Sequence, residues 1–147
     1  IDFPKEISDK ALLEQLAVGF VIRTNVRFPD GEQKIKRLIV LSSDNNSTVL
    51  MLSTTSQHVV KKYYGKDDIF LNPLQEKVFE KATAVQLSRV FELPTYKLQS
   101  AYNEHKLDIL GRISVKLVKE IIARIKNSEV IEGKYIKRIV NNYLEKY

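Results

Sequence analysis

The sequence predicts a mainly β, α+β fold: a small, mostly antiparallel β-barrel of five or six strands, with one helix before it and two after it. Three observations carry that expectation. Apolar residues recur with a period of two from Phe20 to Phe28 and from Thr83 to Leu93, and a compact apolar run spans Val49 to Leu52. Turn signals separate the strands, at Pro29-Asp30-Gly31 and at Asp44-Asn45-Asn46-Ser47. The period lengthens to that of a helix at both ends of the chain. With 147 residues, 44% of them hydrophobic and 29% charged, the chain can build one core, and residues 1–147 are expected to form a single domain. Five glycines and four prolines argue against a collagen-like, low-complexity or disordered chain.

The first helix is expected over residues 9–18, capped by Ser8, with Leu12, Leu13, Leu16 and Ala17 as its apolar stripe and Gly19 as its end. The first strand then sets Phe20, Ile22, Thr24, Val26 and Phe28 on one face and Arg23, Asn25 and Arg27 on the other. The chain turns at Gly31, where positive φ is tolerated, and resumes at Lys34 to give a hairpin. Residues 48–52 make a third, buried strand that the polar stretch Ser53-Thr54-Thr55-Ser56-Gln57 closes. Residues 61–66 read as an exposed basic loop, and Ile69-Phe70-Leu71 as another short strand. Thr83 to Leu93 alternates, with Val85, Leu87, Arg89, Phe91 and Leu93 on one face, until Pro94 stops it. A turn is expected at Leu110-Gly111-Arg112. Ser114 then caps a helix to Lys126 with Val118, Ile121, Ile122 and Ile125 inward. After Gly133, Tyr135, Ile136, Ile139, Val140, Tyr143, Leu144 and Tyr147 form a second stripe at helical spacing.

The absence of cysteine removes disulfides, thiolate zinc sites and cysteine nucleophiles, and His58 and His105 sit in no ligand spacing, so neither metal nor cofactor is expected. The five dispersed glycines form no phosphate-cradling loop, and Asp67-Asp68 reads as a solvated turn. The chain has no apolar run of the roughly 20 residues that span a bilayer and no basic-then-apolar start, so no membrane contact and a cytoplasmic location are expected. The net charge is +6, and residues 106–147, with 10 basic and 5 acidic side chains, carry +5 of it. A second basic cluster, Arg23, Arg27, Lys34, Lys36 and Arg37 against Asp30 and Glu32, falls on the first hairpin. Such an excess suits a polyanionic partner or a solvated surface. Arg37 stands at the start of the apolar strand Leu38-Ile39-Val40-Leu41, where it needs a salt-bridge partner or an edge location. Antiparallel order brings it near the hydroxyls of Thr54, Thr55 and Ser56, whose ordinary role would be a hydrogen-bonded turn.

These segments resemble the MazF/PemK-type toxins of bacterial toxin-antitoxin pairs. The resemblance covers about residues 19–127 and leaves 1–18 and 128–147 as helical extensions. It rests on Gly19-Phe20-Val21-Ile22, Phe28-Pro29-Asp30-Gly31, Lys36-Arg37-Leu38-Ile39-Val40-Leu41-Ser42, and Val49-Leu50-Met51-Leu52-Ser53-Thr54-Thr55-Ser56-Gln57. Thr83-Ala84-Val85-Gln86-Leu87-Ser88-Arg89 and Lys106 to Ser114 resemble the later strand and the ending. Leu38, Phe20 and Thr54 stand where the family more often has proline, aspartate and isoleucine.

The resemblance implies an SH3-like barrel and a metal-independent endoribonuclease that cuts single-stranded RNA. It implies Arg37 and Thr55 as the catalytic pair, a homodimer, and a partner antitoxin whose disordered tail folds onto the groove. Arg27, Lys34, Lys36, Ser56, Gln57 and Arg89 are the candidate RNA contacts, phosphate for the cations and base edges for Gln57 and Arg89. The competing expectation is a noncatalytic barrel of the same class that holds nucleic acid or a protein partner. A gyrase-directed poison on a related barrel is a third, disfavoured by the arginine and threonine pairing.

Overall fold

The computed structural model describes residues 5–28, 30–54 and 68–146. Pro29, Thr55, Ser56, Gln57, His58, the basic stretch 61–66, Asp67 and Tyr147 lie outside them, as do the side chains of Ser8 and Leu144. Among the described residues the strands are β1 (Phe20–Arg27), β2 (Gln33–Ser43), β3 (Ser47–Thr54), β4 (Ile69–Leu71), β5 (Thr83–Pro94) and β6 (Leu107–Arg112). The helices are α1 (Lys5–Gln15), α2 (Thr95–Asn103), α3 (Val115–Lys126) and α4 (Gly133–Lys146). The strands form one curled antiparallel sheet in the order β4-β5-β3-β2-β1-β6, with β4 and β6 at its ends. No ladder joins those two ends among the described residues, so the expected barrel is present as a half-barrel.

Both faces of the sheet are covered, which gives two cores. On one face Val21, Ile39, Leu41, Val49, Met51, Val85 and Leu87 meet Val118, Ile121, Ile122 and Ile125 of α3 and Ile139 of α4. On the other, Ile22, Val26, Leu38, Val40, Leu50 and Leu52 meet Leu12 and Leu16 of α1 and Leu98 of α2. The stripe of α4 therefore packs on its own sheet, with Tyr135, Ile136 and Tyr143 at the margin of the first core. No helix among the described residues is long and apolar enough to cross a membrane.

Gly19 ties the sheet to its helices. Its N–H donates to the Val40 carbonyl at 2.9 Å, and its own carbonyl accepts from Ile113 N–H at 2.9 Å. Its φ is +94°, and a β-carbon there would lie 3.0 Å from Val118 Cγ2, so neither the backbone nor the space admits another residue without strain. Ser114 caps α3 as expected, accepting from Leu117 N–H at 3.2 Å. Glu76 reinforces that end: its carboxylate takes Ser114 N–H at 2.6 Å and Ser114 Oγ–H at 2.8 Å.

Five expectations need correction. α1 runs over Lys5–Gln15 rather than 9–18, so Ser8 lies within the helix instead of capping it. Residues 95–103 are helical, because Pro94 stops the strand ladder while Leu98, Ala101 and Tyr102 form a short stripe that closes on the second core. The chain through Leu110-Gly111-Arg112 is strand, not turn: Gly111, at φ +146°, stands opposite Val21 beside a bulge in the β1–β6 ladder. In β5 the apolar residues do not share one face, since Val85 and Leu87 belong to the first core and Phe91 and Leu93 border the second. Asp68, finally, is 6% exposed rather than solvated, and its Oδ1 lies 3.4 Å from Ser88 N–H.

Candidate functional site

Strand register places Arg37. The two hairpins set it between Arg23 of β1 and Ser53 of β3, directly opposite each. Ser53 Oγ–H donates to the Arg37 carbonyl at 2.8 Å, which fastens the strand at that step. Arg37 is half-buried, and its Nη1 makes a long hydrogen bond, 3.4 Å, to the Val78 carbonyl. Among the described residues no carboxylate pairs with it, whereas Arg23 opposite is paired with Asp108 of β6 at 2.7 Å. The salt bridge that its position favoured is thus made by its neighbour.

Thr55, Ser56 and Gln57 directly follow β3 and lie outside the described residues. The structure brings Arg37 to the end of the β3 ladder, opposite Ser53. Thr54, the last residue of β3, is buried and donates its hydroxyl to Gln86 Oε1 at 2.6 Å.

The candidate cations divide between the two faces, because side chains alternate along a strand. Arg27 lies on the face of Arg23 and Arg37; Lys34 and Lys36 lie on the face of Leu38. Lys36 is half-buried, and burial pushes its ammonium below the usual lysine value, helped by the charges of Lys34 and Arg89 and opposed by Glu32. Lys34 is paired with Glu32 at 3.2 Å. Arg89 is exposed and sits in the irregular middle of β5.

A cleft of about 690 Å³ adjoins the Arg37 face, lined by Arg23, Asn25, Gln33, Ile35, His105 and Asp108 among others. Asn25 Nδ2–H donates to Gln33 Oε1 at 2.9 Å, and Ile35 is 71% exposed on its wall. His105 has a structural reason for its place. It ends α2 with φ +60°, its N–H on the Tyr102 carbonyl at 3.1 Å while Lys106 N–H reaches Ala101 O at 2.7 Å. Arg23 and Asp108 were absent from the residues expected at the site. Alternation put Arg23 beside Arg27, but its pairing with Asp108 depends on the β1–β6 ladder across 85 residues. Among the described residues no group of three or more His, Asp or Glu side chains is gathered as a metal would require.

Chemically, a half-buried guanidinium without a carboxylate can take a phosphodiester through its planar donors and offset charge that grows on the phosphoryl oxygens. Comparison of the chain with protein-family models, with curated proteins and with solved structures gives no match in any of the three.

Proposed function

We propose that the protein is a metal-independent endoribonuclease that cuts single-stranded RNA, built on an SH3-like barrel of the MazF/PemK kind. The observation that carries this reading is Arg37, held half-buried at the junction of β2 with the end of β3 with no carboxylate partner among the described residues. In the reaction the ribose 2′-oxygen attacks the adjacent phosphorus. The bond to the 5′-oxygen breaks, and the proton lost from the 2′-hydroxyl is balanced by one gained at the 5′-oxygen, leaving a 2′,3′-cyclic phosphate and a 5′-hydroxyl. Arg37 stabilises the negative charge of the pentacoordinate state, and Thr55 donates a hydrogen bond to a phosphate oxygen. A guanidinium holds its proton too tightly to give it up, so arginine serves by its charge and donors rather than as a general acid. In the same reading the protein is the homodimeric, cytoplasmic toxin of a pair and is inhibited by an antitoxin.

The test is RNA incubated with the protein in excess chelator, followed by analysis of the product ends. Cyclic phosphate and 5′-hydroxyl ends are expected from the wild type. Arg37→Ala is expected to lower cleavage by about 100-fold or more, the scale on which a single transition-state donor acts, with circular dichroism and melting near those of the parent. Retained cleavage in Arg37→Ala removes the arginine from the mechanism. A second reading, a barrel that holds nucleic acid without cutting it, is favoured by one observation: Lys34 and Lys36 face away from Arg37.

A further inference from the structure

β5 departs from a regular ladder at one place. Between the pairs Met51↔Val90 and Ser53↔Val85, β3 advances two residues and β5 advances five. Residues 86–89 therefore have no partner on β3 and form an extended bulge, a device that gives up ladder hydrogen bonds and re-aims side chains. Two consequences are visible. Gln86 is turned against Thr54, which stands one step beyond the Arg37↔Ser53 pair, alongside Lys36. Arg89 comes within electrostatic reach of Lys36.

The result is a gathering of like charges. Lys34 and Lys36 project from the same face of β2, about 6.8 Å apart at the usual strand rise, and Arg89, in the bulge of β5, is near enough for its charge to act on Lys36. Among the described residues Lys34 alone of the three is ion-paired, to Glu32, whose charge also reaches Lys36 and partly offsets that of the other cations. Holding a half-buried ammonium beside two further cations opposes folding, and an anion bound between them would reverse the sign of that interaction. The amide of Gln86 adds to the set: its Oε1 is taken by the Thr54 hydroxyl, so its Nε2 hydrogens are what it offers a ligand. Two cations in strand register, a guanidinium fork and an amide donor suit a ligand with successive phosphates on an extended chain.

We propose that Lys34, Lys36 and Arg89, with the Gln86 amide, form a binding subsite for the phosphodiester backbone of single-stranded nucleic acid, on the sheet face opposite Arg37. The choice of nucleic acid as the anion rests on the endoribonuclease reading; the clustering of cations does not. Binding and cutting are then tasks of different faces, and each can be removed without the other.

The experiment uses a labelled single-stranded oligodeoxynucleotide, which lacks the 2′-hydroxyl and is not cut, with fluorescence anisotropy across a range of salt concentrations. The double variant Lys36→Gln, Arg89→Gln is expected to bind at least about tenfold more weakly at low salt. Its plot of log K against log salt is expected to be shallower by roughly 1.4, about 0.7 for each phosphate no longer neutralised on a single strand. Lys36→Arg keeps the charge and is expected to keep the binding, which separates loss of a contact from loss of the fold. Unchanged affinity and slope in the double variant, or no binding by the wild type, overturns the subsite. Wild type that binds through these residues but leaves RNA intact defeats the endoribonuclease reading alone; wild type that cuts RNA while the double variant binds normally defeats the subsite alone.

Discussion

Arg138 shows how much one side chain can fasten. From α4 its Nε donates to Ser42 Oγ at 3.1 Å, Nη1 to Ser47 Oγ at 2.6 Å and to Glu92 Oε2 at 3.1 Å, and Nη2 to the Ser47 carbonyl at 2.7 Å. Asp44 Oδ2 lies 3.4 Å from Nη2. The Asp44 carboxyl is held below its usual range chiefly by the Ser47 N–H it accepts, against the opposing effect of burial, with help from Asn46 N–H and the Arg138 charge. The guanidinium thus joins the β2–β3 turn, β5 and α4 with a planar fork that an ammonium cannot copy. Arg138→Ala is expected to cost about 1.5–3 kcal/mol, the usual range for hydrogen bonds to a charged group, and Arg138→Lys to recover little of it; urea unfolding checks both. Nothing in the sequence marked this residue, because its partners are 46 to 96 positions away. Arg37, by contrast, was legible as an arginine at the mouth of an apolar strand. What could not be read was that Asp108 would neutralise Arg23 and leave Arg37 without a carboxylate among the described residues.

At the scale of elements, local signals sufficed where one residue could announce the structure. α3 begins where Ser114 can cap it and buries Val118, Ile121, Ile122 and Ile125 in order. Ser114→Ala is expected to destabilise the protein by about 0.5–2 kcal/mol, the range for losing a cap, and by more than Glu76→Gln, which keeps the cap's own bond to Leu117; thermal melts of the two variants give the comparison. α2 escaped notice because nine residues with a single leucine offer only one short stripe, and the helix is held by packing that stripe on the second core. The change of face within β5 is invisible for a different reason. Helices cover both sides of the sheet, so apolar residues are acceptable on either side, and alternation no longer reveals where a bulge has reversed it. Arg89 lies in the stretch where the register shifts, and spacing alone could not disclose that its charge reaches Lys36.

At the scale of the molecule, the two cores share one wall. Leu12, fully buried, packs on one side of the sheet and Ile139, fully buried, on the other, while the strands between them carry residues of both sets. Damage to either side is therefore felt by the same hydrogen-bonded sheet. Leu12→Ala and Ile139→Ala are each expected to lower the stability by about 2–5 kcal/mol while leaving one cooperative transition, followed by circular dichroism and by tyrosine fluorescence together. Separate midpoints for the two probes would show that the layers melt independently.

The β1–β6 ladder has a kinetic price as well as a place in the architecture. β1 acquires its hairpin neighbour within a few residues, but the strand on its other side, which carries the Asp108 partner of Arg23, arrives 85 positions later. During synthesis that flank stays an open template of unpaired amides and carbonyls for as long as the intervening chain is being made. Folding that waits on so distant a closure is slow for the chain's size, and a newborn copy is most exposed to pairing with another copy during that wait.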